Sequence, residues 1–337
     1  MQWSRAEGCR VWDADGREYI DLTGGFGVAA LGHRNPRIAD AVANAPVVHA
    51  LGDLADAEVT VRFRQALPWP AKLGVTGADA VEIALRTALL ATGRAGIVAF
   101  SGAYHGTGLL ALAATGFEQF RVPFAPWLPG PVARRAYGED PGPLPDDVGC
   151  VIAEPVQGRA GAVVPPEGWL ETVRARCDES GALLVVDAIY AGLGRIGEMW
   201  PGEDVADVIC VGKALGGGLP LSAALFLRGD LEHVWDLGPE DVFTHTHAGN
   251  PLACAGALVV LEEVPHLLDH VRECGDRFAV AGWHGAGLLR ARRGDAVTAE
   301  ENGVLVIPAG EDGSLISATP PLIISAEEID DALARLA

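Results

Sequence analysis

Two charged side chains close short apolar runs: Asp187 follows Ala182–Val186, and Lys213 stands just beyond Val208–Val211. Runs that are continuously apolar and rich in β-branched residues read as strands buried on both faces of a parallel sheet. In such a sheet the C-terminal strand ends share one edge, where open α/β folds bind ligands, so the spacing predicts that Asp187 and Lys213 meet there. A desolvated, partly neutral lysine condenses with an aldehyde, and a carboxylate opposite it keeps a pyridine nitrogen protonated so that the ring can accept electrons. That pair is the equipment of pyridoxal 5'-phosphate (PLP) chemistry. Taken alone, each residue also has a plain structural reading: Asp187 as a helix cap, and Lys213 as a turn residue before three glycines.

The neighbouring residues decide between these readings. Asp187, Gly192, Gly194, Arg195 and Gly197 are followed by Gly212-Lys213, Leu215, Gly217-Gly218 and Pro220. In order and spacing this resembles the class III (ornithine/ω-type) aminotransferases, which carry Asp-Glu-x-Gln-x-Gly-x-Gly-Arg-x-Gly and then Gly-Lys-x-Leu-x-Gly-Gly-x-Pro. The resemblance continues through Gly32-His33-Arg34-Asn35-Pro36, Glu154-Pro155-Val156-Gln157-Gly158 and Thr246-His247-Ala248-Gly249-Asn250-Pro251. It implies a fold type I PLP-dependent transferase, an α/β fold with a mostly parallel central sheet, helices on both faces and a small α+β domain built from both termini. The boundaries expected are 1–45 and 256–337 for the two parts of the small domain and 46–255 for the large PLP-binding domain.

The same resemblance assigns roles. Lys213 and Asp187 would be catalytic; Gly77 and Ala78 would hold the coenzyme phosphate, Tyr104 would stack on the pyridine face and Ile189 would pack beneath it. Thr246 would reach the phosphate of the neighbouring subunit's cofactor, which implies a homodimer with shared active sites. Phe26, Glu154 and Gln157 fall on the substrate side. The activity implied is transfer of an amino group from an amine or amino-acid donor to an aldehyde or keto acceptor, both small molecules, free or carried on a peptide or carrier protein. Racemisation, epimerisation or decarboxylation is the alternative with the same apparatus, and a non-catalytic PLP-binding partner protein is the other.

Local patterns supply the elements that must position these groups. Thr76 caps a helix whose Val81, Ala84, Leu85, Ala88 and Leu89 fall at helical spacing and which ends at Gly93. A helix N-terminus with Gly and Ala lets backbone N–H groups approach an anion. Gly8–Leu22 reads as two strands around an Asp-Gly turn. Ile97–Phe100 and Cys150–Ala153 read as strands, Trp169–Glu179 as a crossover helix, Ser222–Leu227 as a strand and Leu252–Val264 as a helix. Further strands are expected at 287–289, Gly303–Ile307 and 315–316, and Ser325-Ala326-Glu327-Glu328 reads as a capping box for the last helix.

Three departures from the family pattern bear on function. Ala188 replaces a Glu, and Tyr190 replaces the Gln that bonds the coenzyme's phenolic oxygen; a phenol can still donate one hydrogen bond. Ser317 stands where relatives carry the arginine that clamps a substrate α-carboxylate, and a serine has no bidentate fork. Either Arg34, Arg159 or Arg195 takes that task, or the substrate lacks an α-carboxylate, and the sequence reading favours the latter.

Composition narrows the class. With 45 acidic against 25 basic residues the formal charge is −20, which argues against nucleic acid or an anionic membrane as partner. The six cysteines show no C-x-x-C pair or zinc-like spacing, so they read as reduced thiols of a cytoplasmic protein. His245 and His247 find no third ligand nearby, and no metal is expected. The amino terminus lacks the apolar stretch of a signal peptide, and Gly216-Gly217-Gly218-Leu219-Pro220 breaks the apolar run 209–227, so no membrane span is expected there. The chain reads as shortened before residue 8 and in the small domain.

Overall fold

Side chains alternate across a strand, so a strand apolar at every position needs cover on both faces. The computed structural model, which describes residues 1–52, 54–238 and 242–337, meets that need with a seven-stranded sheet. In chain order the strands are β1 (Trp3–Glu7), β2 (Arg10–Asp13), β3 (Glu18–Asp21), β4 (Ala71–Gly74), β5 (Gly96–Phe100), β6 (Val132–Arg135), β7 (Val148–Ala153) and β8 (Leu183–Asp187). They continue as β9 (Val208–Val211), β10 (Ser222–Phe226), β11 (His284–Ala286), β12 (Leu289–Arg293), β13 (Val304–Leu305), β14 (Ile307–Ala309) and β15 (Leu315–Ala318). The central sheet has the order β4-β10-β9-β8-β7-β5-β6, and β10 alone runs antiparallel to its neighbours.

Each face of this sheet is covered. Ile97, Ala99, Cys150, Ile152, Val185 and Cys210 pack against Val81, Ala84, Leu85 and Ala88 of the helix Gly77–Thr92. Val98, Phe100, Val151, Leu184 and Val186 belong to the opposite cluster, with Trp169, Val173 and Cys177 of the helix Trp169–Ser180. The long helix starts as the sequence predicts: Thr76 and Asp79 form a reciprocal capping box, and Gly93 ends it in the left-handed region.

The chain ends come together. β1, β2 and β3 form an antiparallel meander that β13 extends in parallel, while β11, β12, β15 and β14 form a separate antiparallel sheet. Two expectations need correction here. The strand expected at 287–289 begins only at Leu289, because Gly287 has φ +48 and the Leu288 N–H donates to Arg195 O at 2.9 Å, making a turn. The single strand expected over Gly303–Ile307 is two, with Val304–Leu305 pairing to β3 and Ile307–Ala309 to β15, so the chain changes sheets at Val306. The run Pro251–Val280 is long and apolar enough to cross a membrane by length and composition. Its first part, Pro251–Glu263, buries Ala253, Cys254, Ala257 and Val260 in the core, where apolar composition has another cause.

Candidate functional site

β4, β5, β7, β8 and β9 point their C-terminal ends to one edge of the sheet, and a functional segment leaves each of them. Thr76-Gly77-Ala78 follows β4, Tyr104-His105 follows β5, Glu154 follows β7, Asp187 ends β8 and Lys213 follows β9. They enclose a cavity of about 300 Å³ lined by Gly77, Ala78, Tyr104, His105, Glu154, Arg159, Asp187, Ile189, Tyr190 and Lys213, among others. That is the lower end of the size range of small-molecule sites. Asp187 and Lys213 therefore face one chamber. A second cavity of about 290 Å³ shares Tyr104, Arg159, Tyr190 and Lys213 with the first and adds Phe26, Gly158, Ile307, Pro308, Ala309 and Ser317.

Asp187 is buried and held from two sides. His105 Nδ1 lies 2.8 Å from Asp187 Oδ2, and the Ile189 N–H donates to Oδ1 at 3.1 Å. A carboxylate only accepts, so Nδ1 carries the proton. The far nitrogen of the same ring, His105 Nε2, is buried with no hydrogen-bond partner among the described residues. The His105 N–H in turn donates to Thr115 Oγ1 at 3.1 Å, which fixes the loop after β5. The sequence reading gives His105 no role; its position just beyond the end of β5 on the ligand-binding edge is the signal that could have found it.

Lys213 is partly buried, and its backbone has φ +38, a conformation a side-chain-bearing residue holds only when its surroundings impose it. Burial pushes its ammonium below the ordinary lysine range, against the opposing pull of the Asp187 and Glu154 carboxylates. Glu154 is pushed well above the ordinary carboxylate range, by burial first and by the Asp187 charge second. It accepts the Tyr104 N–H at 3.1 Å, which ties the β5 and β7 loops together.

The N-terminal turn of the helix Gly77–Thr92 forms the opposite wall. Asp79 takes the Thr76 and Val75 N–H groups, and Thr76 takes that of Asp79. The N–H groups of Gly77 and Ala78, which line the cavity, have no partner among the described residues. A Cβ on Gly77 would sit 3.0 Å from Ile189 Cγ2, so glycine lets Ile189 pack closest against this turn. Paired free amides at a helix N-terminus suit an anion.

Tyr190 lines both cavities. Its hydroxyl lies 3.4 Å from Thr319 Oγ1, and its ring, not its hydroxyl, faces Lys213, whose Nζ is 4.2 Å from the ring centroid. The ring is wedged between Gly158 and Gly27, where added Cβ atoms would come within 2.3 and 3.1 Å of it. Phe26 has φ +61 and lines the second cavity from an exposed position. Gln157 lines neither cavity: its Nε2 donates to Ser101 O at 2.8 Å and its backbone pairs with Val163. Thr246 is exposed in a turn and also lines neither.

The arrangement offers an anion cradle, an amine, a ring-facing tyrosine and an oriented carboxylate around one cavity. Groups of these kinds fit the phosphate, aldehyde and ring nitrogen of a phosphorylated pyridine aldehyde. Comparison with known proteins agrees. The model of the family "Aminotransferase class-III" matches residues 1–281. The chain is 34% identical to the acetylornithine aminotransferase of Methanopyrus kandleri, covering 98% of this chain and 92% of that protein. It is 37% identical to that of Streptomyces coelicolor, covering 95% and 84%. A solved ornithine aminotransferase of Toxoplasma gondii, described with partial PLP occupancy at its active site, superposes with a TM-score of 0.90 at 28% identity over 99% of this chain and 89% of that one. The chain belongs to the class-III aminotransferase family.

Proposed function

We propose that this chain is a PLP-dependent aminotransferase that moves an amino group from a small amine or amino-acid donor to a carbonyl acceptor, with Lys213 and Asp187 as its catalytic pair. The supporting observation is that these two residues, 26 positions apart, line one cavity of about 300 Å³ with the free amides of Gly77 and Ala78. When bound, PLP supplies an electron sink for the carbanion formed at the substrate carbon.

The chain's own residues do the rest. Burial favours the neutral amine of Lys213, which can carry a proton to and from the substrate carbon. Asp187, oriented by His105 and the Ile189 amide, keeps a positive charge on the ring nitrogen, a stabilisation in place before the reaction begins. Ile189 supports the ring from the side of the helix turn, and Tyr104 flanks it. Glu154 holds the Tyr104 backbone, and burial together with the Asp187 charge disfavours a second negative charge there.

The enzyme works as a homodimer in the cytoplasm, with Thr246 turned toward the partner's phosphate site. Val48, Leu51 and Leu54 are exposed on the segment beside the Thr246 turn, where Asn250 Nδ2 donates to Val48 O at 3.2 Å. An apolar patch at that place is suited to cover by a second copy. Incubating the PLP-loaded protein with an amine donor alone should convert the coenzyme to pyridoxamine phosphate and release the matching carbonyl compound. A coenzyme that stays unchanged with every donor would reject transamination.

A further inference from the structure

The second cavity carries an unbalanced positive charge. Arg159 is its one cationic side chain besides the Lys213 amine, while Glu154 and Asp187 line only the first cavity. Among the described residues no carboxylate forms an ion pair with Arg159. Its guanidinium sits instead among aromatic rings, 5.2 Å from the centroid of Tyr104, 5.9 Å from Phe117 and 5.0 Å from Phe120. Its Nε is buried and without a hydrogen-bond partner. Aromatic faces hold a guanidinium in place and stabilise its charge, yet leave its N–H fork unused. Its backbone is fixed as well, since the Gly310 N–H donates to Arg159 O at 3.1 Å.

The other candidates are committed elsewhere. Ser317 lines the cavity, but its hydroxyl donates to Arg290 O at 3.1 Å. Arg195 Nη1 donates to Leu288 O and Pro320 O at 3.2 and 2.5 Å, pinning the C-terminal segment; its buried Nη2 has no partner among the described residues, but Arg195 lines neither cavity. Arg34 is exposed and lines neither cavity. Resting on the aminotransferase reading above, we infer that Arg159 receives a substrate carboxylate in the second cavity, so that the favoured donors and acceptors are amino acids and keto acids. This reverses the expectation drawn from Ser317. The clamp has moved across the cavity from the strand carrying Ser317 to the loop following Glu154.

The first test does not depend on turnover. Glutarate, which has neither amine nor carbonyl, is titrated calorimetrically into PLP-loaded wild type, Arg159→Gln and Arg159→Lys, with pentane-1,5-diol as the uncharged counterpart. Charge-assisted hydrogen bonds of 1.5–3 kcal/mol correspond to a loss of about 10- to 150-fold in glutarate affinity in Arg159→Gln. Arg159→Lys should recover part of it. Equal glutarate binding by wild type and Arg159→Gln overturns the assignment.

The second test compares donors that differ only in the carboxylate: 2-aminobutanoate with propylamine, and 5-aminopentanoate with butylamine. Arg159→Gln should lower kcat/KM of the carboxylate member of a pair at least about tenfold more than that of its amine, mainly through KM. Equal losses within both pairs overturn the assignment. The melting temperature and the visible absorbance of bound coenzyme show that each variant is folded and loaded. If no donor converts the wild-type coenzyme, the aminotransferase reading fails, and glutarate binding still decides the role of Arg159.

Discussion

Replacing Gly158 with alanine isolates one geometric requirement of the site. Gly158 has backbone angles open to any residue, so the effect of Gly158→Ala is steric. The new Cβ would lie 2.3 Å from Tyr190 Cδ1, whereas carbons in contact keep about 3.5–4.0 Å apart. The ring must therefore shift by about 1.2 Å or more. On its other side stands Gly27, where an added Cβ would come within 3.1 Å of the ring. Lys213 Nζ is only 4.2 Å from the ring centroid, so the displacement is passed to the catalytic amine. Overpacking of this kind costs roughly 1–3 kcal/mol of stability, and a misplacement of about 1 Å at a reacting group costs about 100-fold in rate. The assay is single-turnover conversion of the bound coenzyme by a donor, with thermal melting alongside. Gly158→Ala should lose about two orders of magnitude in rate, and Gly158→Ala/Tyr190→Gln, which removes the obstructing ring, should recover much of it. A Gly158→Ala enzyme with wild-type rate and melting temperature would refute the idea that Tyr190 is wedged against the lysine.

Other consequences follow from the charges. His105→Leu leaves one oxygen of the buried Asp187 without its partner, which should cost roughly 1–3 kcal/mol in thermal stability of the apo-protein, while His105→Asn retains a donor and should recover part of it. Because burial lowers the Lys213 ammonium and Glu154 partly offsets this, capture of PLP by the apo-protein should reach half its maximal rate below the ordinary lysine value of 10.5, and Glu154→Gln should move that midpoint lower still. Glu154 itself is raised on folding, so its contribution to stability is complete below the ordinary value of 4.5 and is lost as pH climbs from there through the folded value. Glu154→Gln apo-protein should therefore melt higher than wild type on the alkaline side of 4.5, with the difference shrinking toward acid; melting curves across pH that stay parallel would contradict this. Thr246→Ala should weaken PLP binding in a dimer while leaving the fold intact, measured by coenzyme titration and light scattering.

Much of this site was legible in the sequence because its parts lie at strand ends. Continuous apolar runs such as Leu183–Asp187 and Val208–Val211 have few ways to be buried other than in a covered parallel sheet, and the charged residue after each then falls on the ligand-binding edge. The capping signals of Thr76 and Ser325 were equally local, and both capping boxes formed. What was not legible depends on contacts between distant segments. The His105–Asp187 bond joins residues 82 apart and leaves no periodic trace. The direction of the Tyr190 hydroxyl is set by Thr319 and by two glycines, Gly27 and Gly158, from separate loops. Loss of the expected arginine at Ser317 was visible in the sequence, but its replacement was not, since three arginines competed until the backbone carbonyls around Arg195 and the aromatic cage around Arg159 distinguished them.

The most direct test is chemical trapping. The apo-protein is incubated with PLP, reduced with borohydride and digested, and the labelled peptide is identified by mass spectrometry. The label should sit on Lys213 and vanish in Lys213→Ala, with Asp187→Asn weakening PLP retention without moving the label. A label on Lys72, the other lysine of the chain, or none at all, would contradict the assignment of Lys213 and Asp187 as the two ends of one coenzyme site.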